Sequence, residues 1–257
     1  MILTIPFYSH KNRQIQEELL SVLKSNIKKK FIKKIILLID DDTFKNKNLI
    51  STKITIVRYN RRPTFEDWIR ESKKFINDDE YFVIANADIE FRDDFEDLIS
   101  NELKNEKSFL LLSRYDLIGD KELRLVKNAY YSQDTWCLRS NDLKKIEESH
   151  LSALDIPVGI PRCDNKIAYE FWIRNWHLIN PCMRIVTIHH QKSGIRNYET
   201  KDITIIGNVA FVYPSEGIAE ESKVSLMLFT LTNRVPISFQ ITRWLINDFD
   251  NKNNQAK

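Results

Sequence analysis

Glycine is scarce in this chain. There are five among 257 residues, and none precedes Gly119. A Walker loop or a dinucleotide-binding fingerprint needs glycines where an early strand turns into a helix, so that backbone can approach phosphate. Both are excluded from the first half. The three cysteines, Cys137, Cys163 and Cys182, form no CxxC pair, so neither a disulfide framework nor a zinc finger is indicated, and a reducing compartment fits. No stretch has the length of a membrane span, and the opening "MILTIPFYSHKNR" lacks the basic and long apolar segments of a signal peptide. The expected location is cytoplasmic, at most peripheral to the inner face of a membrane. A strong charge of one sign is missing too: the formal net charge is +3. One basic run, "KKKFIKK" from Lys28 to Lys34, reads as a solvated helix end leading into a strand, and no nucleic-acid partner is expected.

What is present is the composition of an ordinary globular protein, with 42% hydrophobic and 29% charged residues, which excludes a disordered chain. The length fits one large domain, or one domain with a C-terminal appendage. "ILTIPF" (Ile2 to Phe7) reads as a first strand, followed by a helix in which Ile15, Leu19, Val22, Leu23 and Ile27 recur at helical spacing. "KKIILLIDDD" is a second strand ending in acids, and "ITIVRYN" (Ile54 to Asn60) a third. Thr64 and Asp67 then resemble a capping box opening an amphipathic helix. "YFVIANADIEF" (Tyr81 to Phe91) is the fourth strand, and strands alternating with helices indicate βαβ units and a mainly parallel sheet. Further strands are expected at Ser108 to Arg114, Thr135 to Ser140 and Arg184 to His190, with a helix from Asp164 to Trp176. Residues 1–216 would form the α/β domain. Residues 217–257 would form a helical extension ending in a frayed polar tail.

The fourth strand carries the chemistry. Its apolar run Tyr81 to Ala85 suits a strand covered on both faces, and a side-chain period of two would put Asn86, Asp88 and Glu90 on one face. In open α/β sheets ligands sit outside the carboxyl ends of strands, where these groups would lie. With no glycine-rich loop, a divalent ion on strand-end carboxylates is the natural partner for phosphates, since Mg²⁺ or Mn²⁺ takes oxygen ligands.

The order of these features resembles the nucleotide-sugar glycosyltransferases of the GT-A fold, in particular the family 2-like bacterial enzymes. "ILTIPFYSHKNR" is similar to their opening strand and nucleotide loop, "IILLIDDDT" to the strand whose terminal Asp contacts the base, and "IANADIEF" to their metal-binding Asp-x-Asp strand. "SQDTWCLRS", "GIPRCDNKIAYEF" and "TIHHQKSGIRNY" are similar to the acceptor-side strand, the segment with the catalytic Asp, and a late His-containing loop. The likeness spans roughly residues 1 to 200, and it departs at Asn86, which stands where the family has the first acid.

The resemblance implies a donor that is a nucleotide-diphospho-sugar and an acceptor that is a saccharide or glycolipid, with Mn²⁺ or Mg²⁺ as cofactor. Asp88 and His189 would bind the metal, and Asp164 would be the general base of an inverting transfer. Tyr8, Asp41, Arg61, Asn86, Lys192, Arg196 and Tyr198 would line the donor, and Asp134 and Trp136 the acceptor side. Read from local sequence alone, Asp164 is also a candidate helix N-cap, a role compatible with catalysis. Two rivals remain: a nucleotidyltransferase, which would want a glycine-rich loop after the first strand, and a non-catalytic carbohydrate- or nucleotide-binding protein on the same fold.

Overall fold

A computed structural model describes residues 1–40, 51–77, 80–119, 121–190, 205, 207–228 and 237–239. The elements in chain order are β1 (Ile2–Phe7), α1 (Arg13–Lys28), β2 (Lys34–Ile39), β3 (Ile54–Arg58), α2 (Phe65–Lys73), β4 (Tyr81–Ala85), β5 (Ile89–Phe91), α3 (Phe95–Glu102) and β6 (Ser108–Ser113). There follow β7 (Tyr115–Ile118), β8 (Glu122–Leu125), a 3₁₀ turn (Ala129–Tyr131), β9 (Gln133–Arg139), α4 (Ser140–Lys144), α5 (Glu148–Ala153) and α6 (Cys163–Trp172). The last strands are β10 (His177–Ile179), β11 (Thr187–His189), β12 (Val209–Val212), β13 (Val224–Leu228) and β14 (Ile237–Phe239).

Seven strands make the main sheet in the order β10-β6-β9-β4-β1-β2-β3. β3, β2, β1 and β4 run parallel, β9 runs antiparallel between β4 and β6, and β10 is parallel to β6. The chain winds outward from β1 through β2 to β3, then returns to lay β4 on the other side of β1. That reversal is a topological switch point, the place where open α/β sheets generally take their ligands. Flanked by helices on both faces, the sheet is the Rossmann-like α/β architecture that the GT-A resemblance implies.

The continuous apolar runs explain the layering. Along β2, Ile35, Leu37 and Ile39 join Ile15, Leu19 and Leu23 of α1 on one side of the sheet, while Ile36 and Leu38 join Phe65, Trp68 and Ile69 of α2 on the other. Both faces are thus covered, which removes any need for polar alternation. Each early helix is started by its own sequence: the Asn12 side chain accepts from the backbone N–H groups of Gln14 and Ile15, and Thr64 with Asp67 forms the capping box.

A second sheet, β5-β11-β7-β8, stands beyond the carboxyl edge of the first. Asn26, fully buried on α1, fixes its near strand by donating to the Ile89 carbonyl at 2.8 Å and accepting from the Phe91 N–H at 3.3 Å. A third sheet pairs β12, β13 and β14 antiparallel.

The C-terminal expectation is corrected here. Val224 to Leu228 is a strand and not a helix, because β12 offers it an antiparallel ladder from Val209↔Met227 to Val212↔Val224. That ladder crosses the expected boundary at residue 216. The segment is also fastened to α3, where the buried Glu102 carboxylate accepts the N–H of Ile218 at 2.6 Å and of Ala219 at 2.5 Å. Gly217, at φ +77°, allows this approach, since a Cβ there would meet a Glu102 oxygen at 2.5 Å. Ile237–Phe239, expected as helix, is likewise a strand, paired with β13, and the expected tail at 250–257 lies outside the described residues.

Candidate functional site

The apolar run of β4 stops at Ala85, and the next residue still belongs to the sheet: the Asn86 N–H donates to the Asp134 carbonyl at 3.0 Å. The chain then turns, with the Ile89 N–H returning to the Asn86 carbonyl at 3.2 Å. This turn corrects the expectation of one continuous strand. Asn86, Asp88 and Glu90 do not share a face; Glu90 instead accepts from Ser25 Oγ at 2.5 Å and pairs with His190 Nε2 at 2.7 Å. Its carboxyl is held below the usual range by the bond to His190.

Asp88, at the turn, meets His189. The pairing of β11 with β5 sets His189 opposite Ile89, the His190 N–H donates to the Asp88 carbonyl at 2.9 Å, and His189 Nε2 lies 3.2 Å from Asp88 Oδ2. The other ring nitrogen, Nδ1, is 2.8 Å from Asp116 Oδ1, because β11 also pairs with β7 in the register His189↔Asp116. Burial by itself lowers the His189 pKa. Hydrogen bonds to Asp116 and Asp88, together with the Asp88 charge, outweigh it and lift it to about 9. Asp116 is pulled the opposite way, to about 2, chiefly by its bond to His189 and then by Arg114.

Arg114, one residue past β6, donates through Nε to Asp116 at 2.9 Å and through Nη1 to Asp134 at 2.8 Å. Asp134 reaches this edge because β9 is antiparallel, so its amino end lies beside the carboxyl end of β4. Its second oxygen accepts from Asn86 Nδ2 at 2.5 Å. Both Asp134 oxygens are thereby engaged. Arg114 and Asp116 were missed by sequence reasoning, although "SFLLLSRYD" carries the same signal as the fourth strand, an apolar run ending in charges.

Asp164 occupies the first turn of α6 but does not cap it, which corrects the N-cap expectation. The cap position is Arg162, at φ +74°. The Asp164 carboxylate accepts the Asn165 N–H at 2.9 Å and the Gln133 N–H at 3.2 Å. Burial, then the charge of Asp134, pushes its pKa up to about 7.

Other expected residues fall elsewhere. Trp136 is fully buried between strands, edge-on to Phe65 at 4.8 Å between ring centroids, and cannot stack on a sugar. The period of two along a strand covered on both faces turns it into the core beside α2. The aromatic group exposed nearby is Tyr131, 46% exposed, in ring contact with Tyr130 at 4.5 Å and Phe211 at 4.8 Å. The preceding Ala129 carbonyl accepts from Gln133 Nε2 at 3.2 Å. Arg61 turns its guanidinium fork to Asp67, at 2.6 and 3.0 Å. Tyr8 is half-buried just past β1. Asp41, Lys192, Arg196 and Tyr198 lie outside the described residues.

No family model matches the chain, and no curated protein matches it. Among solved structures it is similar to residues 1–349 of S. aureus TarS in complex with UDP-GlcNAc, at 12% identity and TM-score 0.48, over 80% of this chain and 61% of that one. It is similar also to the mannosyltransferase PcManGT from Pyrobaculum calidifontis in complex with GDP-Man and Mn²⁺, at 11% identity and TM-score 0.48, over 75% and 58% of the two chains. The cytidylyltransferase IspD of Francisella tularensis matches at 14% identity and TM-score 0.46, over 78% and 95%. The chain thus spans about three-fifths of the length of the first two structures. The strand order itself defines the fold.

Proposed function

We propose that the chain is a metal-dependent, inverting glycosyltransferase that moves a sugar from a nucleotide-diphosphate donor to a hydroxyl acceptor, in the synthesis of a surface polysaccharide or glycolipid. One observation carries the reading. At a single sheet edge, beside the switch point, a carboxylate–histidine pair stands on one side of β9's amino end and a carboxylate poised near neutral pH on the other.

In this reading a divalent ion would take the place of the Nε2 proton that Asp116 and Asp88 favour on His189, since a histidine ligand must be neutral. Among the described residues Asp88 Oδ1 is buried with no hydrogen-bond partner, and Asp88 Oδ2 and His189 Nε2 stand 3.2 Å apart. Two ligand atoms of one octahedral ion with 2.0–2.1 Å bonds are about 3 Å apart. Asp116 on Nδ1 would orient the ring, as outer carboxylates do for metal-binding histidines. When bound, the ion would neutralise charge developing on the departing diphosphate.

Asp164 is the base in this reading. Each of its oxygens accepts one backbone N–H and keeps a further lone pair, so the carboxylate is held in place yet can take the proton of the attacking hydroxyl. A pKa of about 7 suits proton transfer at neutral pH. Tyr131 supplies an aromatic face for the acceptor in place of Trp136. Asp41 at the base, and Lys192, Arg196 and Tyr198 at the diphosphate, enter the proposal by their sequence positions.

The test is donor cleavage: UDP-, GDP-, CMP- and TDP-sugars incubated with the chain and Mn²⁺ or Mg²⁺, with release of nucleoside phosphate followed. Metal-dependent cleavage of one donor supports the proposal. Donors neither bound nor cleaved would favour a binding protein, and pyrophosphate released from a nucleoside triphosphate would favour a nucleotidyltransferase.

A further inference from the structure

We propose that Arg114 is a positioning residue that closes a ring of contacts around Asp88 and His189 and thereby sets the two side chains between which the divalent ion would sit. The inference rests on the metal reading above. From the guanidinium Nε the ring runs to Asp116 Oδ1 at 2.9 Å, from that oxygen to His189 Nδ1 at 2.8 Å, and from Nε2 to Asp88 at 3.2 Å. From Nη1 it runs the other way, to Asp134 at 2.8 Å and on to Asn86 Nδ2 at 2.5 Å. Asn86 opens the turn that carries Asp88, so two residues of backbone complete the circuit.

The side-chain types suit the task. A guanidinium presents several donors in a fixed planar fork, so one group can hold two carboxylates in divergent directions, which a lysine ammonium on a flexible stem does not do. It has no lone pair, so it cannot be a ligand itself and acts only through its partners. The site is sheltered: the Arg114 side chain is 22% exposed and that of Asp134 9%. Charge-assisted bonds are stronger there than in water. The ring also gives Asn86 a function that a carboxylate could not perform, because an Asp at 86 would face Asp134 at 2.5 Å with a like charge.

The experiment is titration with Mn²⁺ alone, free ion measured by electron paramagnetic resonance, on the wild type, Arg114→Lys, Arg114→Ala and Asp116→Asn, with melting temperatures recorded alongside. Outer partners of metal ligands typically alter affinity by about 10–100-fold. Arg114→Lys and Asp116→Asn should each weaken Mn²⁺ binding by about that factor while remaining folded. Methylguanidinium should restore part of the loss in Arg114→Ala and none in Asp116→Asn. If Arg114→Ala does not fold, Asp116→Asn still decides, since that side chain is 35% exposed and its loss leaves the core intact. Arg114→Lys or Asp116→Asn binding Mn²⁺ within about twofold of wild type overturns the positioning role alone. A wild type that takes up no Mn²⁺ overturns the metal reading, and this role with it.

Discussion

The two sides of the site use the same residue type to opposite ends. On the side proposed for the metal Asp116 is held down to about 2, with His189 and Arg114 both on its Oδ1. On the side proposed for the base Asp164 is pushed up to about 7, near the charge of Asp134 with only backbone N–H groups as partners. Arg114 touches Asp134 and Asp116, so both belong to one connected group of charges. The difference teaches that the partner, more than the carboxyl, sets proton affinity: cationic donors stabilise the anion, and burial beside another anion opposes it.

Removing the poised carboxylate should break the comparison most sharply. Asp164→Asn keeps the shape but not the basicity, so transfer should fall by roughly 10²–10⁴, with metal-dependent nucleotide binding retained. Steady-state kinetics and nucleotide titration check both halves. Transfer near wild type, or a product with the donor's anomeric configuration, would sink the base assignment.

Asp88→Ala attacks the other side. Nucleotide binding in Mn²⁺ should weaken by about 100-fold or more, since a ligand matters more than the outer partners that typically cost 10–100-fold. Calorimetry with and without Mn²⁺ reads this out, and unchanged metal dependence would refute the assignment.

The third prediction concerns pH and stability. Asp164 has a folded pKa near 7 against an ordinary 3.8, so between these values the folded state holds a proton that the unfolded state has lost. Stability is therefore lost as pH rises through that window, and the full penalty applies above pH 7. Three units correspond to at most about 4 kcal/mol, less to the extent that solvent reaches this half-buried group. Asp164→Asn should accordingly melt higher than wild type at pH 8 and about equally at pH 4. A stabilisation that does not depend on pH would mean that Asp164 is not perturbed.

The smallest effect is expected at the rim. Tyr131→Ala should raise the acceptor KM a fewfold, on the order of 1 kcal/mol for a lost exposed aromatic contact, and leave donor cleavage unchanged. A change in donor cleavage would place Tyr131 with the donor instead.

Much of the first half was legible because its signals are local. β1 spans Ile2 to Phe7, the Thr64–Asp67 capping box forms, and the apolar runs of β2 and β4 are strands covered on both faces. The approach of His189 to Asp88 was legible only through the family order of motifs. Trp136 was misplaced because it follows Asp134 in a segment resembling an acceptor-side strand, whereas β9 lies inside the sheet and buries the ring against Phe65. Val224 to Leu228 looked helical because its ladder partner, β12, carries no local mark of the pairing.

By itself the sequence determined the α/β class, the acids and amide at the end of β4, and the exclusion of a glycine-built phosphate cradle in the first half. Apolar periodicity and residue type act within a few positions, and the chain can be read at that range. Only the tertiary structure decided that Arg114 joins Asp134 to Asp116, and that His189 lies against an aspartate 73 residues earlier. Those contacts follow from the antiparallel run of β9 and the register of β11 on β7, which strand pairing sets across the sheet between segments distant in sequence.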